Sequence, residues 1–221
     1  MQRLKAFILS ILVTTLFMFG VVALFNHQIS SYLLSRQTVK LTDLSAKQIQ
    51  KNQEKKADFD FSKVQPLDFK NILAHQFDHN LPVIGAITIP DVNLELPIFN
   101  GVGGGNLWHG AGTLKENQVM GQGNYALAGH NMTGFSNDTS LLFTPLTRVK
   151  EGMSIYLLDQ KNQYHYQVDS IQIINPDQGN VILDHQNKKE LTLVTCAEAE
   201  ATHRIIVHAT FQEECHQTNK N

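Results

Sequence analysis

The feature that most constrains the fold of this chain is an apolar run near its N-terminus. Residues 6–25 carry no charged side chain, and two basic residues lie just before them. A helix of 20 such residues is about 30 Å long, which matches the hydrocarbon core of a bilayer. We predict a cytoplasmic tail and transmembrane anchor over residues 1–25, because basic residues favour the cytoplasmic side. A cleaved signal peptide is the alternative, since Val21 and Ala23 are small enough for a cleavage site.

The segment after this run is polar. Residues 26–64 are rich in Lys and Gln and contain hardly any Gly or Pro. Their apolar residues recur at loosely helical intervals, which favours a helical stalk, and a partly disordered spacer is the alternative. The apolar positions of this segment are Leu33, Leu34, Val39, Leu41, Leu44 and Ile49. Either structure would hold a domain over residues 65–221 away from the membrane. We predict that a short amphipathic helix over residues 67–77 caps this domain.

Length and charge restrict what the domain can be. At 221 residues with 42% apolar side chains, the chain accommodates one ordinary catalytic domain plus appendages. Because 18 Lys and Arg oppose 20 Asp and Glu, no basic field is available to hold a polyanion, and nucleic acid is not an expected partner. The two cysteines, Cys196 and Cys215, are too few for a disulfide-rich scaffold.

The domain itself has the pattern of a β protein. After Pro82, short β-branched runs alternate with turn residues, so we predict a mainly β fold of roughly eight strands in a closed or nearly closed barrel. A glycine-rich segment over residues 101–105 lacks the Lys-Ser/Thr pair of a phosphate loop, and we interpret it as a flexible hinge. A short helix is predicted near residues 141–147. Strands are predicted over residues 83–89, 94–99, 125–128, 154–159, 163–174, 190–195 and 204–211.

Cys196 is a candidate nucleophile because of its position. It directly follows the predicted strand over residues 190–195, and strand ends hold exposed groups rigidly. A free cysteine beside a strand is commonly a small buried hydrophobe, which is the alternative. A thiol with a pKa of about 8.5 needs a partner for proton transfer before it becomes a good nucleophile.

His130 and Arg204 are the candidate partners. His130 follows Ala128 and Gly129 at the end of another predicted strand, and the missing side chain of Gly129 leaves room for a substrate backbone beside the imidazole. Acyl transfer also needs a donor for the negative oxygen of the tetrahedral intermediate. Arg204 begins the strand eight residues after Cys196, so a tight connection would bring the two together. Arg148, in a helix-and-turn segment, is interpreted as a solvated surface charge.

These residues resemble a known family. The string Thr192-Leu193-Val194-Thr195-Cys196 resembles the Thr-Leu-any-Thr-Cys signature of sortases. The segment ending at His130 is similar to the family's histidine segment, and Arg204 falls where the family places its arginine. The resemblance extends from about residue 85 to residue 211, and the order of the three elements also matches.

The resemblance implies a fold and an activity. It implies an eight-stranded sortase β-barrel of class A, the housekeeping type, attached to the cell membrane by a single span with its domain on the extracellular face. It implies cleavage of surface proteins at a C-terminal Leu-Pro-any-Thr-Gly sorting signal, between Thr and Gly. The acyl group would pass to an amine of a lipid-linked peptidoglycan precursor. No cofactor is implied.

The resemblance also implies residue roles. Cys196 would attack the Thr carbonyl, Arg204 would bind the substrate or the oxyanion, and protonated His130 would give its proton to the departing amine. An apolar groove would hold the sorting signal. The residues at the matching positions are Val92, Ala128, Ile182, Leu183, Val194 and Thr195.

Metal and redox alternatives are weaker. Some class A sortases bind calcium through clustered carboxylates, but here the two relevant loops offer only Glu116 and the pair Asp177 and Asp184, so no metal site is expected. His75 and His79 have i, i+4 spacing without the Glu of a zinc protease motif, so we interpret them as surface residues of one helix. Cys215 is interpreted as a tail thiol, with a disulfide to Cys196 left open.

Two other functions remain open from the sequence alone. An exported cysteine hydrolase would use the same residues and deliver the acyl group to water. A non-catalytic surface-binding module would keep Cys196 as a core thiol and His130 as a structural residue. Alkylation distinguishes a non-catalytic module from an enzyme, because a catalytic thiol is reactive and a core thiol is inert.

Overall fold

A computed structural model describes residues 2–25, 45–60, 64, 69–75, 81–136, 138–198 and 202–216. Eight strands form a closed barrel in the order β1-β2-β3-β4-β7-β8-β6-β5, and β5 pairs with β1. The prediction of a mainly β, eight-stranded barrel is confirmed. The strands are β1 (Val83–Ile89), β2 (Leu94–Phe99), β3 (Ala111–Thr113), β4 (Asn124–Ala128), β5 (Ser154–Leu158), β6 (Asn162–Ile174), β7 (Glu190–Cys196) and β8 (Arg204–His216).

Helices are few and mostly short. Three single-turn 3₁₀ helices, Pro90–Val92, Thr144–Arg148 and Gly179–Ile182, lie in connections between strands. The helix predicted near residues 141–147 is a 3₁₀ turn that begins later, because Leu142 has a φ of 50° and forms a bridge with Asn131. The α-helices described are α1 (Gln2–Leu24), α2 (Ala46–Gln53), α3 (Phe69–His75) and α4 (Asn106–His109).

The barrel core comes from alternation along the strands, which bulges interrupt in β1 and β6. On β4 and β7, Leu127 and Leu193 are fully buried in the main hydrophobic cluster. Their neighbours along each strand point to the outer face, as the two-residue period of a strand requires. Burial of each such leucine stabilises the fold by about 1.5–3 kcal/mol. Other members of the cluster are Ile87, Ile155, Tyr166, Leu191 and Val207.

The sequence does not mark β3, because its three residues, Ala-Gly-Thr, carry almost no strand pattern. β3 pairs in parallel with β2 and antiparallel with β4. A Cβ added at Gly112 would lie 2.5 Å from the Gly101 carbonyl oxygen. A glycine is therefore required here by a close backbone approach. As a result, β3 has too few β-branched residues to predict a strand from the sequence.

The segment over residues 45–60 packs on the barrel. Ser45 caps α2 by accepting a hydrogen bond from the Gln48 amide at 3.3 Å, and Ile49 is buried against the domain. Asn52 donates from Nδ2 to the Val83 carbonyl at 2.9 Å, which fixes α2 to β1. The predicted stalk over residues 26–64 therefore includes a part that belongs structurally to the barrel, while residues 26–44 lie outside the described residues. Amide side chains that bind backbone give no hydrophobic pattern, so this packing was not predicted.

The glycine-rich segment contacts this N-terminal region. The Asp58 carbonyl accepts from the Val102 amide at 2.8 Å and from the Gly103 amide at 3.2 Å. Gly101 has a φ of +80°, and a Cβ there would lie 2.7 Å from the Asp58 carbonyl oxygen. The interpretation as a flexible hinge is wrong, since these glycines permit a close and hydrogen-bonded approach of two segments.

Helix α1 covers most of the apolar run. Its described side chains are largely exposed, for example Leu16 at 71% and Phe19 at 73%. Among the described residues, no helix has the combination of length and hydropathy that crossing a membrane requires. The anchor over residues 1–25 stays a prediction.

Candidate active site

The ends of three strands come together at one end of the barrel. β4 and β7 are parallel, with Ala128 opposite Val194, and the Gly129 amide continues the pairing to the Val194 carbonyl at 3.2 Å. β7 and β8 are antiparallel, with Cys196 directly opposite Arg204. Parallel pairing places the carboxyl ends of β4 and β7 together, and the antiparallel turn brings the start of β8 to the same edge. His130, Cys196 and Arg204 therefore lie at one edge of the sheet.

Hydrogen bonds from side chains to the backbone hold this edge in place. Thr195 Oγ1 donates to the Gly129 carbonyl at 2.8 Å, and Asn131 Nδ2 donates to the Cys196 carbonyl at 2.8 Å. These bonds join the segment around His130 to the end of β7 from both sides of Cys196. Asn131 was not among the predicted site residues, although it directly follows His130 in the sequence.

Gly129 has a different role from the one predicted. A Cβ at this position would lie 2.6 Å from the Phe143 ring. The Phe143 amide also donates to the His130 carbonyl at 2.9 Å. The glycine therefore leaves room for a core aromatic ring, and the prediction that it leaves room for a substrate backbone has no counterpart in this geometry.

Cys196 is a half-buried, free thiol. Burial raises its pKa, the charge of Arg204 opposes this rise, and the Glu198 carboxylate adds to it. Because the net shift is upward, the thiol form dominates at neutral pH. Any nucleophilic attack therefore requires proton removal or a substrate-induced change at the site.

His130 is buried more deeply, with 6% of its surface exposed. Its ring lies against Trp108, with 4.8 Å between ring centroids and a tilt of 48°. Nε2 has no hydrogen-bond partner. Burial lowers the pKa of His130 to about 4, so the imidazole is neutral at pH 7. The resting pair is a neutral thiol and a neutral imidazole.

Arg204 is the cation of the site. It is the ladder partner of Cys196, and its Nη1 donates to the His203 carbonyl at 3.2 Å. The connection before it is shaped by Glu198, whose carboxylate accepts from the His203 amide at 2.7 Å. Arg148 is different: it donates to the carbonyls of Thr139 and Val92 at 3.0 and 3.2 Å. Arg148 is thus a structural tie as well as an exposed charge.

The predicted substrate residues divide into two groups. On the outer face of the sheet, Ala128 and Val194 lie on the same side of their strands as Cys196, and the half-buried Ile182 and 58% exposed Leu183 lie in the β6–β7 loop. Val92 is 5% exposed within the main core cluster, and Thr195 alternates to the face opposite Cys196. Ala128 is itself fully buried against Val102 and Leu107. Contact of all six residues with a substrate stays a prediction, and the geometry favours Val194, Ile182 and Leu183.

The β6–β7 loop is fixed across the outer face of β4 and β7. Asn124 donates from Nδ2 to the carbonyls of Val181 and Leu183 at 3.1 and 3.2 Å, and its Oδ1 accepts from Thr192 Oγ1 at 2.8 Å. A single asparagine thus positions the segment that carries Ile182. Asn124 was not among the predicted site residues, because one amide in a strand carries no recognisable motif.

Asp184, considered above as a calcium ligand, has other partners. Its Oδ1 accepts from Lys115 Nζ and from the Asn124 amide, at 2.7 and 2.8 Å. These bonds lower the pKa of the carboxyl group, with the lysine contact as the main cause. Across the described parts of the chain, no three His, Cys, Asp or Glu side chains cluster as metal ligands would. The expected absence of a metal stays a prediction.

His75 and Cys215 differ from the sequence interpretation. His75 stacks on Trp108 with 5.9 Å between centroids, so its interpretation as a surface residue is wrong, while His79 lies outside the described residues. Cys215 is exposed on β8, eleven residues beyond Arg204, which is on the order of 30 Å along the strand. A disulfide to Cys196 within one chain is therefore excluded by distance.

Comparisons with known proteins agree with this architecture. A family model described as a sortase domain matches residues 87–212. Sortase A of Streptococcus agalactiae is 44% identical over 211 residues, which covers 94% of this chain and 85% of that protein. Sortase A of Listeria monocytogenes is 38% identical over 184 residues, covering 82% and 79% of the two chains. A solved structure of Listeria monocytogenes sortase A superposes with a TM-score of 0.58 at 37% identity, covering 62% of this chain and 92% of that one. The chain therefore belongs to the sortase family, as a cysteine transpeptidase of class A.

Proposed function

We propose that this transpeptidase cleaves surface proteins at a Leu-Pro-any-Thr-Gly sorting signal, between Thr and Gly, and joins the new carboxyl end to an amine of a lipid-linked cell-wall precursor. The observation that carries the residue assignment is the strand register, in which Cys196 is opposite Arg204 and Val194 is opposite Ala128, two residues before His130. This register supports one site for a sulfur, an imidazole and a guanidinium.

In the first half of the proposed reaction, the Cys196 sulfur attacks the Thr carbonyl carbon. Arg204 stabilises the negative oxygen of the tetrahedral intermediate with its guanidinium donors. The Thr–Gly C–N bond then breaks, the departing amine receives a proton from His130, and a thioester remains on Cys196. The active pair therefore consists of a thiolate and an imidazolium, which is a minor form of the resting neutral pair.

In the second half, an amine attacks the thioester carbon. The proton that it loses passes to neutral His130, the C–S bond breaks, and Cys196 leaves as the thiolate. The proton is conserved over the cycle, because His130 gives it up in the first half-reaction and recovers it in the second. Water in place of the amine would give hydrolysis, and family membership decides in favour of transpeptidation. Family membership also decides against a non-catalytic binding module.

The experiment that tests the proposal uses the full chain in detergent micelles. It is incubated with a labelled sorting-signal peptide, with and without oligoglycine or the amine-bearing peptide of a cell-wall precursor, and the products are identified by mass spectrometry. We expect cleavage after Thr and a new amide to the added amine. Cleavage at another bond would contradict the signal assignment, and release of free acid alone at saturating amine would contradict the acceptor assignment.

Arg204→Lys is expected to reduce kcat/KM about 10- to 100-fold, because a point charge does not reproduce the two-donor geometry of a guanidinium. Steady-state kinetics on the sorting peptide measure this effect. Arg148→Lys is the matched control: Arg148 ties two connections together and lies outside the proposed site. Unchanged kinetics in Arg204→Lys would remove Arg204 from the oxyanion role.

We also propose that α1 attaches the chain to the cell membrane, with residues 65–221 as the extracellular catalytic domain and residues 45–60 docked on it. The uncharged run of 20 residues and the exposed apolar side chains of α1 support this proposal. The precursor amine, being lipid-linked, would then meet the domain at the same surface.

Membrane fractions of cells that produce the full chain test the attachment. The chain is expected to resist alkaline extraction, whereas a variant with Leu12→Lys and Leu16→Lys is expected to lose membrane retention, because each charge costs about 2.5–3.5 kcal/mol at the centre of a span. Gln50→Lys, at an exposed position of α2, is the control. Extraction of the unmodified chain would contradict the proposal, and an N-terminus beginning after residue 21 would identify a cleaved signal peptide.

A further inference from the structure

The only tryptophan of the chain contacts two histidine rings. Trp108 is 5.9 Å from the His75 ring with 13° between the planes, and 4.8 Å from the His130 ring with 48° between the planes. Its own surface is 4% exposed. The indole therefore links the proposed acid–base residue to helix α3.

The indole is held rigidly. Trp108 packs in a separate hydrophobic cluster with Met132, Leu141 and Leu142, outside the main barrel core. Nε2 of His109, the next residue on α4, donates to the His75 carbonyl at 3.0 Å and so fixes α3 beside α4. Trp108 is thus held by this hydrophobic cluster and by the contact between α4 and α3.

His130 is shielded from bulk solvent. Its surface is 6% exposed, and within the described ranges its Nε2 is the buried side-chain nitrogen or oxygen that has no hydrogen-bond partner. An unpaired buried nitrogen costs about 1–3 kcal/mol, so loosening of the packing around this ring should let water pair with it. The face of an indole accepts no conventional hydrogen bond from this nitrogen, so Trp108 seals the ring without pairing it.

We propose that Trp108 is a positioning residue which, backed by His75 of α3, seals His130 from water in the resting enzyme and fixes the orientation of its imidazole. This inference rests on the proposed acid–base role of His130. Opening of the stack by α3 or by an arriving substrate would hydrate the ring and allow it to take up the proton that the departing amine needs. A neutral resting imidazole, with its pKa lowered to about 4 by burial, agrees with such a seal.

Burial is the cause of the lowered pKa of His130. Removing the seal is therefore expected to raise this pKa by hydrating the ring. At this end of the barrel, the elements around Trp108 carry His75 and Lys70 on α3, Glu95 on β2, His109 on α4, Cys196 on β7 and Arg204 on β8.

The test reads the His130 ring directly, so it does not depend on turnover or on the identity of the substrate. The full chain is labelled with ¹³C-histidine, the His130 signal is assigned by its loss in His130→Gln, and its shift is followed from pH 3 to pH 8 by NMR. Trp108→Ala is expected to move the midpoint from about 4 toward the ordinary 6.5, a shift of about two pH units. Trp108→Phe is expected to keep most of the seal, and His75→Ala to give a smaller upward shift.

His165→Ala is the matched control, because His165 stacks on Tyr156 at 4.9 Å, away from the site, and its loss should leave the His130 midpoint unchanged. An unchanged His130 midpoint in both Trp108→Ala and His75→Ala would overturn the inference. If Trp108→Ala fails to fold, as shown by circular dichroism, the decision passes to His75→Ala, whose unchanged midpoint alone would overturn it. If the peptide assay fails but the His130 midpoint shifts in Trp108→Ala, the proposed function is refuted. The inference that Trp108 shields His130 is then retained.

Discussion

Cys196→Ala is expected to reduce transpeptidation by about 10⁴-fold or more, since it removes the atom that forms the thioester. The half-buried thiol is replaced by a methyl group, and its ladder bonds to β8 are made by the backbone, so the fold should remain. The rate of peptide cleavage measures the loss of activity. The mass of the enzyme after incubation with peptide shows whether a thioester has formed. The unmodified enzyme should gain the mass of the acyl fragment, and the variant should gain none.

Cys215→Ala is the control for this experiment, since Cys215 is exposed at the far end of β8 and is the other free thiol. It should show full activity and a normal acyl adduct. Retained transpeptidation in Cys196→Ala, or an acyl adduct that maps to Cys215, would refute the assignment of the nucleophile. Iodoacetamide labelling adds a further readout, because alkylation of Cys196 alone should account for inactivation.

His130→Ala is expected to reduce kcat/KM by about 10²- to 10⁴-fold, because the departing amine then lacks a proton donor. The same variant has a signature in stability. The native pKa of about 4 lies below the ordinary 6.5, so the unfolded chain binds the proton more tightly and the native fold loses stability as the pH falls from 6.5 through 4. The loss amounts to about 3 kcal/mol. In His130→Ala this contribution should disappear, and urea unfolding at pH 7 and pH 4 measures it.

The control for the second experiment is again His165→Ala, which changes a stacked histidine outside the site. Its kinetics and its loss of stability in acid should match those of the unmodified chain. Near-normal kcat/KM in His130→Ala would show that another group donates the proton. An equal loss of stability between pH 7 and pH 4 in His130→Ala and in the unmodified chain would show that His130 is not the buried titrating group.

The sequence carried enough information for the chemistry of the site. Cys196, His130 and Arg204 each follow or begin a strand with clear alternation, and strand ends can be recognised from that pattern alone. Their meeting at one edge depends on the order of strands in the barrel, which alternation does not give. The family signature supplied that missing topology.

Other parts of the site carry no readable pattern. Asn124, which fixes the β6–β7 loop, is a single amide whose partners are backbone carbonyls more than fifty residues away. Trp108 lies in a four-residue helix, too short for any periodicity. The docking of residues 45–60 depends on amide side chains that bind backbone, and such bonds leave no hydrophobic signal. These features are tertiary, so local propensity could not predict them.

The ladder between β7 and β8 has an evolutionary consequence. Because Cys196 and Arg204 are opposite each other in paired strands, their relative placement is set by the sheet and is independent of the seven residues that connect them. Insertions or exchanges in this connection would leave the reacting groups in register while altering the chain beside them. New preferences for substrate or acceptor could therefore evolve in the connecting segment at little cost to the chemistry.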